Sequence, residues 1–166
     1  MIEVIRDLIS RYSRRGIFVD TNPLLLYFVG AFDPSFISRF KRTDIFSIED
    51  FNTLVTLLEN FDQIITTPNV LTEVSNFSNK IGEPMRTEYF KKFAQCITLT
   101  NERYLDSHML AMTNEFIRFG LTDAGTVIVA KEEYLILTDD LRLSQYLQST
   151  GVDVINFNHL RPLGWQ

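Results

Sequence analysis

Five carboxylates fall in four short segments of this chain. Asp20 lies in Val19-Asp20-Thr21-Asn22 and Glu73 in Thr67-Pro68-Asn69-Val70-Leu71-Thr72-Glu73; Asp123 lies in Leu121-Thr122-Asp123-Ala124, and Asp139 and Asp140 in Leu137-Thr138-Asp139-Asp140. Carboxylates that face one another without basic partners repel, and a divalent cation is the usual remedy. A hard-oxygen ligand set of this kind suits Mg²⁺ or Mn²⁺. One cysteine, Cys96, and two histidines, His108 and His159, do not form the Cys/His array that zinc favours. Two such ions, about 3.5–4 Å apart, clamp the attacking and leaving oxygens of a phosphodiester, and ion-bound water is readily deprotonated. That chemistry needs no catalytic histidine.

Taken singly, each carboxylate has a plainer reading. An acid in the first turn of a helix is favoured by the helix dipole, which covers Asp123. Asp20, Asp139 and Asp140 read equally well as turn residues. What joins them is the elements that carry them. Ile17-Phe18-Val19 and Leu135-Ile136-Leu137-Thr138 read as buried strands that run straight into Asp20 and into Asp139-Asp140. Gln63 to Thr66 reads as another strand, followed by Thr67 as an N-cap and Pro68 at the first helical position, which puts Glu73 in the second turn. Cys96 to Leu99 and Asp153 to Asn156 complete five predicted strands. Helices are predicted over residues 1–13, 24–29 (closed by Gly30), from Ser47–Asp50 to about Asn60, 68–77, from Glu83-Pro84 to about Gln95, 104–119 (capped by Gly120), from a Thr122 cap through Ala130, and 141–148. Strands and helices in this alternation indicate βαβ units and a parallel sheet. Ligands of such sheets bind at the carboxyl ends of the strands, where the four segments would converge.

With 45% hydrophobic and 22% charged residues, the composition is that of a globular protein, and 166 residues suit a single domain over 1–166. Residues 1–15 read as an N-terminal helical extension and 31–48 as an insertion. A single cysteine excludes an internal disulfide and fits a reducing cytosol. No apolar run approaches the roughly 20 residues that span a bilayer, and the N-terminus is too charged for a signal peptide. The expectation is a cytoplasmic chain without membrane contact. A net charge of −5 argues at first against nucleic acid. Cations bound by the five carboxylates would offset that charge, leaving basic clusters at Arg11/Arg14/Arg15, Arg39/Lys41/Arg42 and Lys91/Lys92. Each of these reads either as a solvated face or as a phosphate contact.

The ordered set of Val-Asp-Thr-Asn at 19–22, Glu73 on a helix after a strand, Asp123 opening a helix, and Thr-Asp-Asp at 138–140 resembles the PIN-domain nucleases. Many of these are ribonuclease toxins of toxin–antitoxin pairs. The resemblance covers about Ile17 to Asn156. It implies a three-layer α/β/α sandwich with a central parallel sheet of about five strands. It also implies an Mg²⁺- or Mn²⁺-dependent endoribonuclease that hydrolyses single-stranded RNA by metal-activated water. By carry-over, Asp20, Glu73 and Asp123 are metal ligands and catalytic residues. The acid two places after the threonine selects Asp140 as the last of the set, with Asp139 sharing its role, while Asn22 and Thr138 orient a ligand carboxylate. The partners implied are the RNA, an antitoxin or other protein, and a second copy in a homodimer. The alternative is a catalytically inactive PIN-like protein-interaction module, served by the amphipathic N-terminal helix and the many aromatics. A phosphatase-like enzyme would need Asp-x-Asp after the first strand, where this chain reads Asp20-Thr21-Asn22.

Overall fold

The computed structural model describes residues 2–131 and 134–163; Met1, where the first predicted helix begins, lies outside them. Five strands form one sheet among these residues: β1 (Ile17–Val19), β2 (Ile64–Thr66), β3 (Thr100–Glu102), β4 (Leu135–Thr138) and β5 (Val154–Asn156). All pair in parallel, in the order β3-β2-β1-β4-β5. A parallel sheet covered on both faces needs strands apolar throughout rather than alternating. Ile17, Phe18, Val19, Leu135, Ile136 and Leu137 are accordingly all fully buried. The register sets Phe18 beside both Ile65 and Ile136. The backbone N–H of Asp20 donates to the Leu137 carbonyl at 2.9 Å, which fixes the end of β1 against the end of β4.

The helices are α1 (Ile2–Tyr12), α2 (Thr21–Phe32), α3 (Ile48–Leu58), α4 (Pro68–Ser78), α5 (Met85–Ile97), α6 (Ser107–Ala111), α7 (Asn114–Phe119), α8 (Leu121–Ala130) and α9 (Leu141–Ser149). Crossovers between parallel strands are right-handed. Those from β1 outward to β2 and β3 therefore lay α2 to α5 on one face, and those back across to β4 and β5 lay α6 to α9 on the other. The result is a three-layer α/β/α sandwich. Its chain order reverses direction at β1, between β2 and β4, and that is where an open α/β sheet forms its ligand crevice. The α2 helix is buried nearly all round, including Leu24, Leu25, Leu26, Phe28 and Val29, as an apolar helix packed against α3, α4 and α5 must be. The α1 helix is tied to the start of β5, where Arg11 Nη1 and Tyr12 Oη both donate to Asp153 Oδ2 at 2.7 and 2.8 Å.

Four elements differ from the sequence expectation, each for a local reason. Gly30 does not close α2: the helix runs through it to Phe32, and the bare Cα lets the Phe51 ring pack against it. Strand β3 lies at Thr100–Glu102, because Cys96 and Ile97 extend α5 and bury Cys96 in the core. The predicted 104–119 helix is two, since Thr113 accepts from Phe116 N–H at 3.2 Å and starts α7 afresh. Gly120, at φ 87°, precedes α8 in the cap position expected for Thr122, and the Thr122 hydroxyl is used elsewhere. In the 31–48 segment, Asp33 caps a 3₁₀ turn over Pro34–Arg39. Phe36, Ile37, Phe40 and Phe46 from this segment enter the core.

Candidate functional site

All five carboxylates line one small pocket of about 170 Å³, together with Thr21, Asn22 and Phe77. Asp20 reaches it because β1 ends there and α2 begins: it is the N-cap of α2, accepting from Thr21 N–H at 2.7 Å. Its other oxygen accepts from the Thr138 hydroxyl, at the end of β4, at 2.6 Å. Burial pushes the Asp20 carboxyl up to about 6; the two hydrogen bonds oppose the rise, and the nearby Asp139 and Glu73 add to it.

Glu73 arrives on α4, whose start is set by the Thr67 cap and Pro68. It is held from two sides, Thr21 donating to Oε2 at 2.9 Å and Thr122 to Oε1 at 2.6 Å. Asp123 sits in the first turn of α8. No hydrogen bond reaches its carboxylate among the described residues. It is pushed up to about 7, first by burial and then by the charges of Asp20, Asp140 and Glu73, with Arg142 pulling weakly the other way.

Asp139 and Asp140, at the exit of β4, have different tasks. Asp140 is the N-cap of α9, with Oδ1 accepting from Leu143 N–H at 2.9 Å, while its own N–H donates to Thr138 Oγ1 at 3.0 Å. Asp139 receives the Asn22 amide at 3.2 Å on both oxygens. Its carboxyl is raised by burial, an effect the Asn22 hydrogen bond opposes. Asn22 thus orients Asp139, and Thr138 orients Asp20.

No ion pair joins any of the five to an arginine or lysine among the described residues. Arg142 and Arg161 act on Asp123 and Asp139 only weakly and without an ion pair, so the pocket concentrates negative charge, and its carboxylate donors are all oxygen. In donor type and charge it fits a hard dication. The side chains stand wider apart than a formed coordination sphere: among the described residues, no three of His, Cys, Asp or Glu are gathered closely enough to hold an ion. Binding would have to draw them closer together. His108 and His159 are both exposed, and neither lines the pocket.

Sequence reasoning finds no task for Thr21, inside the first motif, or for Phe77, and reads Thr122 only as a helix cap. Phe77 follows Glu73 by four residues on α4, so helical spacing alone puts both on one face. Compared with protein-family models, curated proteins and solved structures, the chain has no match.

Proposed function

We infer that the chain is a metal-dependent endoribonuclease of the PIN-domain kind, acting on single-stranded RNA with Mg²⁺ or Mn²⁺. The observation that carries this reading is the convergence of carboxylates from four distant segments on one pocket, none of them ion-paired to an arginine or lysine among the described residues, at the point where the sheet order reverses. Asp20, Glu73, Asp123 and the Asp139-Asp140 pair would hold the ion. Bound there, a divalent cation supplies Lewis acidity to a phosphodiester and eases deprotonation of water.

The chain's own residues prepare that site. Thr21 and Thr122 hold both oxygens of Glu73, Thr138 holds Asp20, and Asn22 holds Asp139, so these three acids are kept facing the pocket. Burial first, and the charges of the neighbouring acids after it, raise the Asp20 and Asp123 carboxyls, so the pocket disfavours a phosphate on its own. Among the described residues no helix is long and apolar enough to cross a membrane.

The test is cleavage of a single-stranded RNA by purified protein with Mn²⁺ or Mg²⁺, with Asp20→Asn and Asp123→Asn as controls. Cleavage that survives both substitutions removes the reading. The alternative, a non-catalytic interaction module, is favoured by one feature: Tyr104, Met112 and Ile117 are 78%, 79% and 85% exposed along one stretch, an apolar surface suited to a protein partner. Calorimetric titration with Mn²⁺ separates the two, since a module without a metal site takes up no ion below millimolar concentration.

A further inference from the structure

A second cleft, of about 680 Å³, opens between the 33–46 segment and the loop after α4. Its floor is apolar. Phe36 and Phe40 are stacked with ring centroids 5.7 Å apart and planes 9° from parallel, and Ile81 is buried beside them. Its rim is cationic, formed by Arg39, Lys41, Arg42 and Lys80, all exposed. Among the described residues none of these four forms an ion pair with a carboxylate. In a chain of net charge −5, four unneutralised cations around one cleft reverse the local sign.

The cleft is joined to the acidic pocket through one side chain. Phe77 lines that pocket, and the Arg42 guanidinium lies 4.4 Å from the centroid of its ring. The Arg39 guanidinium lies likewise 5.6 Å from the Phe36 ring. An arginine laid on an aromatic face is pre-organised, so it loses less freedom when it takes a phosphate. Glu73, Phe77 and Lys80 follow one another at helical spacing along α4 and its closing turn. At 1.5 Å per residue the path from Glu73 to Lys80 is about 10 Å, within reach of the phosphates adjoining a bond held at the carboxylates.

We propose that this cleft seats the backbone phosphates of a single-stranded RNA whose neighbouring phosphodiester lies at the acidic pocket. The second half of that statement rests on the nuclease reading; the grip of the cleft on phosphate does not. An acidic peptide would gain from the rim alone. A nucleic-acid strand gains from the rim and, with a dication present, from the carboxylates as well, and a basic groove that tracks the backbone is how single strands are held.

The experiment is fluorescence anisotropy of a labelled short single-stranded RNA against the full chain in EDTA, so that nothing is cut. Lys41→Gln/Arg42→Gln and Arg39→Gln/Lys80→Gln are compared with wild type and with Arg14→Gln as a basic-residue control. All four rim residues are exposed, so the variants keep the fold, and thermal melts check this. Each double variant loses on the order of tenfold in affinity, and its slope of log K against log salt falls by about 1.4, at about 0.7 per phosphate contact on a single strand. Arg14→Gln binds as wild type. Wild-type protein that fails to bind at low salt overturns the proposal, as do double variants with unchanged affinity and slope. Displacement of the RNA by polyglutamate as readily as by unlabelled RNA also overturns it. Cleavage with Mn²⁺ is scored separately: its absence with the binding pattern intact sinks the nuclease reading alone, and its presence with unaltered double variants sinks the cleft alone.

Discussion

Replacing Asp20 by asparagine should stabilise the ion-free protein at alkaline pH while removing its response to metal. The Asp20 carboxyl is raised from an ordinary 3.8 to about 6, so the fold favours its neutral form. The stabilisation this gives is fully present below the unfolded value of 3.8 and is lost as pH rises through about 6. At 1.36 kcal/mol per tenfold change in proton affinity, ionised Asp20 at pH 8 forgoes about 3 kcal/mol. Asparagine is neutral at every pH and keeps an oxygen for Thr21 N–H. It cannot accept from the Thr138 hydroxyl, which loses a bond of about 1 kcal/mol. The net gain at pH 8 is about 1–2 kcal/mol, or roughly 2–8 °C in Tm for a chain of this size. At pH 4.5 only about 1 kcal/mol of that stabilisation has been lost, which offsets the missing hydrogen bond and leaves variant and wild type about equally stable. Thermal unfolding by circular dichroism in EDTA at both pH values measures this directly. Added Mn²⁺ then raises the wild-type Tm by mass action and leaves the variant unmoved. A variant less stable than wild type at pH 8, or a difference that does not change with pH, would refute the argument that charge is what strains the pocket.

The same protons should compete with the ion. With Asp20 raised to about 6 and Asp123 to about 7, Mn²⁺ affinity by calorimetry should fall about 20-fold from pH 8 to pH 6, roughly tenfold of it from Asp123; a pH-independent Kd contradicts this. Thr122→Val removes the hydroxyl on Glu73 Oε1 and should weaken Mn²⁺ binding about tenfold with the far-UV spectrum unchanged. Unaltered affinity would mean that Thr21 alone positions Glu73. Gly30→Ala drives a methyl group into the Phe51 ring and should cost about 1–3 kcal/mol in urea unfolding; a variant as stable as wild type would show that the ring can swing aside.

The layered fold was legible because its strongest signals are local. Ile17-Phe18-Val19 and Leu135 to Thr138 are apolar runs that only a strand buried on both faces explains, and their bounds coincide with β1 and β4. The position of Glu73 followed from a threonine cap and a proline six and five residues before it in the same local unit. The elements misread depend on partners distant in sequence. Thr100-Asn101-Glu102 has no apolar alternation and is a strand because β2 lies beside it. Gly30 ends nothing because Phe51, twenty-one positions away, fills the space that its missing side chain leaves. Thr122 has the residue type of a cap, yet its hydroxyl answers Glu73 from forty-nine positions off. Asp140 met the opposite fate, since the capping task that its type suggests is one it performs.

The polar make-up of β3 also governs how this molecule meets others. As an outer strand it offers only three residues, with Asn101 exposed and Glu102 at the tip. So short and charged a rim gives an incoming chain little backbone to zip onto, which guards against fibrous stacking through sheet growth. Stable company for this protein is better sought by its side-chain faces, among them the exposed Tyr104, Met112 and Ile117.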